Sequence, residues 1–142
     1  MGLNSPKWIP SEEEIDEKLE TSNERELFVV GQIIIERIID KIIVEKFLIP
    51  EKILDDTRFP MQLRIDLLSE SDLVKGDLKT NIRKINQIRN RYSHRINPEP
   101  NEQRIANYIR ELQYLGPVSK PNDRYTKYRI CVIRTFSALV KL

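Results

Sequence analysis

An all-α, bundle-like domain of four or five main helices is the fold class this sequence predicts, and three observations predict it. Apolar residues recur at three- and four-residue spacing over several long segments. No segment sustains a period-two alternation bounded by hairpin turns, and prolines stand between the periodic segments, where they punctuate helices. At 142 residues the chain is about one domain long, with an acidic N-terminal arm expected over residues 1–20 and a single helical domain over residues 21–142.

Each element has its own signal. Ser11 followed by Glu14 has capping-box spacing, so a short acidic helix should start there, as a peripheral arm. From about residue 23 to 48, Phe28, Ile34, Ile35, Ile38, Ile39, Ile42, Ile43 and Phe47 form a stripe wide enough to be buried on more than one side. Such a helix is either the centre of the core or part of a subunit interface. Pro50 ends it, and a short turn to Asp56 is expected next. Pro60 suits the first turn of a helix carrying Leu63, Ile65, Leu67 and Leu68 to about Ser69; one more turn over 71–75 should stop at Gly76.

Asp77 can cap the clearest amphipathic helix in the chain, with Leu78, Ile82, Ile85, Ile88, Tyr92 and Ile96 at steps of four, three, three, four and four. Asn97-Pro98-Glu99-Pro100 terminates it. Asn101 can cap a helix to about Tyr114, stopped by Gly116-Pro117, and Asp123 can cap a last helix through Tyr128, Cys131, Val132, Phe136 and Leu139.

Composition excludes several function classes. Four glycines and the absence of G-x-x-x-x-G-K leave no glycine-rich phosphate loop. One cysteine permits no intrachain disulfide, and with one histidine it gives no zinc constellation, so neither a metal nor another cofactor is expected; Cys131, in an aliphatic run, reads as a small core residue. Charges interrupt the apolar region at 28–49 and the N-terminus lacks a signal-peptide core, so the expectation is a soluble, cytoplasmic protein with no membrane association.

The net charge of +2 conceals an asymmetry. Residues 1–77 hold 10 basic and 18 acidic side chains, a net −8, whereas residues 78–98 hold 6 basic and no acidic ones. Residues 119–142 carry a further net +5. A surface built from the two basic segments would attract a polyanion, with a pull that weakens steeply in salt.

The only histidine, His94, lies in the first of these segments, in Ile88-Arg89-Asn90-Arg91-Tyr92-Ser93-His94. Imidazole is the side chain whose unperturbed pKa suits proton transfer near neutrality. On a helix, Asn90 and His94 are i and i+4 and share a face, so Asn90 can orient the ring; Arg89 stands 140° away and must reach round or serve a site shared with another chain. Arg91 and Arg95 form another i, i+4 pair suited to phosphate, and Lys84 lies upstream in the same basic run. These groups suit metal-independent RNA cleavage by the 2′-hydroxyl, with histidine moving the proton and arginine stabilising the charged phosphorane. Two histidines would be needed for concerted acid and base catalysis, which a two-fold dimer supplies. The plainer reading of a histidine near a helix C-terminus is a partner for the helix dipole.

Phe59-Pro60, Arg64-Ile65-Asp66-Leu67-Leu68, Leu73, Asp77-Leu78, Ile82, Ile85, Ile88 and Arg89-Asn90-x3-His94 together resemble the HEPN superfamily, especially its mannitol operon repressor-like branch. The likeness spans roughly residues 25–97. It implies an all-α bundle, homodimerisation around the motif helices and, in active members, metal-independent endoribonuclease activity in a toxin-antitoxin or defence setting, with Arg89, Asn90 and His94 at the family's motif positions. Ile96 stands where some toxin members carry tyrosine, which argues against the tyrosine-modified type. The alternative is a non-catalytic regulatory module, a transcriptional regulator or antitoxin-like partner, that binds protein or nucleic acid. The interleaved Arg124, Tyr125, Lys127, Tyr128 and Arg129 suggest single-strand binding, although Tyr128 also fits the core stripe.

Overall fold

A computed structural model describes residues 10–55, 58–93, 103–119 and 123–142. Among these the chain is helical with no strand, in seven helices: α1 (Glu12–Thr21), α2 (Glu24–Phe47), α3 (Glu51–Leu54), α4 (Met61–Glu70), α5 (Gly76–Ser93), α6 (Gln103–Glu111) and α7 (Arg124–Val140). The all-α bundle class is therefore as expected. No helix among the described residues is long and apolar enough to cross a membrane.

The central element is α2, which packs against α1, α3, α4, α5 and α7. This accounts for its wide stripe: Phe28, Ile35, Ile39 and Ile43 are sealed, and neighbouring isoleucines meet different helices. The helix begins at an Asn23 cap whose side chain accepts from the Glu26 amide, and it ends at Leu48 in the left-handed region, ahead of Pro50. Antiparallel packing of α5 on α2 is fixed by two contacts in opposite chain order, Gln32 with Asn86 and Phe28 with Tyr92. From α7, Tyr128 donates its hydroxyl to the Phe28 carbonyl and lies against Gly31, where no side chain holds the helices apart.

Buried polar side chains lock the register. Asn81, fully buried, donates to the Gln113 carbonyl at 2.8 Å and to Thr135 Oγ1 at 3.0 Å, and accepts from the Gln113 amide, tying α5 to α7 and to the end of α6. Arg64 on α4 lies 2.8 Å from Asp40 and 3.5 Å from Glu36 of α2, and donates to the Phe59 and Leu54 carbonyls; it fastens both α3 and the loop before α4 onto α2.

Several boundaries differ from expectation for local reasons. The capping box at Ser11 and Glu14 is present, but α1 is not peripheral: Ile15 and Leu19 are sealed against α7 and α2, leaving the acidic side chains outside. The turn after Pro50 contains the short helix α3, which buries Leu54. Pro60 sits one residue ahead of the helix as its N-cap. α4 closes with a Schellman arrangement, Asp72 taking the left-handed position while Leu73 N–H reaches the Leu68 carbonyl and Asp72 N–H the Ser69 carbonyl. The stop therefore falls four residues before Gly76, and Gly76, at φ 61°, opens α5, with Asp77 in its first turn. At the other end, Asp123 caps α7 through the Tyr125 amide as expected. Ile96 and Asn101 lie outside the described residues.

Candidate functional site

One end of the bundle collects the chemistry-bearing segment. The Phe28 ring, near the start of α2, contacts Tyr92 in the last turn of α5 and both Tyr125 and Tyr128 in the first turns of α7. The shared ring therefore brings the last described turn of α5 to the first turns of α7.

Within α5, Asn86, Arg89 and Tyr92 follow at three-residue steps and form one ridge. Asn86 and Tyr92 both meet α2, and Arg89 lies between them on this ridge, between the Gln32–Asn86 amide contact at 3.4 Å and the Phe28–Tyr92 edge contact at 5.8 Å. This explains why Arg89 is half-buried and why its Nε is buried. That Nε has no hydrogen-bond partner among the described residues, and neither has Gln32 Oε1. Asn90, next in the chain, is exposed, and Arg91 is half-buried. His94 and Arg95 lie outside the described residues.

Lys84, two turns before Arg91 on α5, meets α6. Its Nζ is 2.5 Å from Glu111 Oε2 and 5.3 Å from the centre of the Tyr108 ring, both on α6, so its charge is already matched by protein groups. In the second basic segment, Lys127 likewise donates to the Arg110 carbonyl at 2.7 Å and lies over Tyr114. Tyr128 is core, with burial raising its hydroxyl pKa far above the usual tyrosine value. Burial also pushes the Cys131 thiol up to about 11, against a smaller opposing effect of Lys127 and Arg134. A thiol so protected is a poor nucleophile near neutrality. Among the described residues no three His, Cys, Asp or Glu side chains converge.

The sequence singled out Arg89, Asn90 and Arg91, consecutive on α5, and Lys84, which pairs with Glu111 of α6. It did not single out Gln32 and Asn86, whose isolated amides carry no motif, or the Phe28 ring that joins α5 to α7. A glycine inside the long α2 stripe was a usable signal, since glycine there is unfavourable unless a neighbour needs the space. Comparison with known protein families, curated proteins and solved structures finds no match to this chain.

Proposed function

We propose that this chain is a metal-independent endoribonuclease of HEPN type, acting as a cytoplasmic homodimer. The observation that supports it best is the half-buried Arg89, its Nε buried on the α5 ridge between Asn86 and Tyr92, at the end of α5 that the Phe28 ring joins to the start of α7. In this reading His94 takes the proton from an RNA 2′-hydroxyl as its oxygen attacks the adjacent phosphorus. The bond to the 5′-oxygen then breaks, and the His94 of a second copy protonates the leaving oxygen. Arg89 stabilises the charged phosphorane, Asn90 orients the imidazole, and Arg91 with Arg95 grips flanking phosphates. A toxin-antitoxin or defence role fits such an activity.

A second reading, a regulatory module of the mannitol operon repressor-like or antitoxin-like kind that binds a protein or nucleic-acid partner without cleaving it, is favoured by one feature. Lys84, expected to grip phosphate, is held by Glu111 and Tyr108. The two readings separate in one assay: labelled single-stranded RNA with purified protein in EDTA, comparing wild type, His94→Ala and Arg89→Ala. The nuclease reading expects each variant to lose activity by about a hundredfold or more. Equal cleavage by all three refutes it, and no cleavage by wild type leaves the regulatory module.

A further inference from the structure

The second basic segment contains a surface that the proposed cleavage chemistry does not use. Of its interleaved cations and aromatics, Tyr128 is sealed in the core and Lys127 is bound to α6. Arg124 and Tyr125 pair with each other. The Arg124 guanidinium lies 5.3 Å from the centre of the Tyr125 ring, and its Nη2 donates to the Tyr125 hydroxyl at 3.4 Å. Tyr125 is half-buried, its ring tilted 37° on Phe28 at 6.2 Å. Phe28 thus supports Tyr125 on one side and Tyr92 on another, and since each ring lies about 6 Å from it, the two tyrosines are at most about 12 Å apart. Each directly follows an arginine, Arg91 or Arg124.

We infer that Arg124 and Tyr125 form a stacking subsite for a base of single-stranded RNA, adjoining the Arg89–Arg91 turn. The inference rests on the proposed function and names its substrate class. A guanidinium lying over an aromatic ring is flat, charged and oriented before binding, so it can take a nucleobase on its plane. Bases inside a duplex are stacked on each other and cannot reach such a platform; splayed bases of a single strand can. The distance between the two tyrosines is within reach of a strand only a few nucleotides long, so one strand can contact the α5 turn and the α7 platform together.

Binding is measured by fluorescence anisotropy with a labelled oligouridine of about twelve nucleotides. Its riboses are 2′-O-methylated, so it cannot be cleaved. It is compared with an abasic strand of equal length and with a duplex of the same sugar chemistry. Wild type should prefer the base-bearing single strand. Tyr125→Ala should weaken binding by about tenfold, while Tyr125→Phe, which keeps the ring, should stay within about twofold. Arg124→Gln should lower the slope of log affinity against log salt by about 0.7, and Lys52→Gln, an exposed cation on α3, should change neither quantity.

Unaltered binding by Tyr125→Ala, or equal affinity for abasic strand, duplex and base-bearing strand, overturns the inference, as does absence of any binding by wild type. The abasic comparison needs no variant, so loss of folding in Tyr125→Ala cannot hide the answer. Cleavage of native RNA is followed separately. His94-dependent cleavage with Tyr125-independent binding removes the subsite alone; Tyr125-dependent binding without cleavage keeps the subsite and removes the nuclease.

Discussion

Replacing Arg64 by alanine tests what holds α3 and α4 on α2. The Arg64 side chain is 9% exposed and lies 2.8 Å from Asp40, itself 15% exposed, while its remaining N–H groups serve the Phe59 and Leu54 carbonyls and its plane covers the Phe59 ring at 5.9 Å. Truncation removes the cation beside a largely buried carboxylate and the donor from two main-chain oxygens. Breaking one side of a buried pair typically costs 3–5 kcal/mol. Both groups here retain some solvent contact, so about 3 kcal/mol is expected, with a fall in Tm of about 10 °C. Urea unfolding followed by far-ultraviolet circular dichroism measures it, the midpoint falling at unchanged slope. Glu36 is 42% exposed and 3.5 Å away, so Glu36→Gln should cost below about 1 kcal/mol. A double-mutant cycle of Arg64→Ala with Asp40→Asn should show coupling above about 1 kcal/mol. A loss below about 1 kcal/mol for Arg64→Ala, the value of a solvent-exposed pair, refutes the reasoning.

Two further predictions concern the core around α7. Gly31→Ala places a Cβ 2.9 Å from Tyr128 Cε2, 3.0 Å from Cζ and in conflict with the hydroxyl, and the sealed ring has nowhere to move; a net loss of about 1–2 kcal/mol is expected despite alanine's better helix propensity, and a gain in Tm would contradict the close approach. For Cys131, the folded thiol stays protonated up to about pH 11 against an ordinary value of 9.0, so the folded state holds a proton that the unfolded chain has released. Stability that is intact below pH 9 should therefore fall as pH rises, by about 1.4 kcal/mol per unit, until the folded thiol ionises. Tyr128 adds to the loss only above its ordinary value of 10.0, so urea titrations between pH 9 and 10 isolate the cysteine; Cys131→Ala should flatten that slope, and an unchanged slope would exclude the thiol as its cause.

The sequence by itself determined the helical class, the wide apolar stripe of the long isoleucine-rich helix and the caps at Ser11 and Asp123. All of these depend on spacing or on interactions within a few residues, which a linear string records. It also located the Arg89-Asn90-Arg91 turn within a basic segment, because charge is written directly in composition. Tertiary structure alone decided which groups a cation meets. Nothing local to Lys84 tells that it will meet Glu111, 27 positions further along the chain. The same holds for α1, whose acidic sequence reads as a solvated arm until Ile15 and Leu19 meet α7, and for the Phe28 ring, which joins the two basic segments through contacts as much as 100 positions apart in sequence. Pairings over such separations arise from helix packing, in which one apolar stripe fits many partners, so the periodicity of a stripe states that a face is buried but not what buries it.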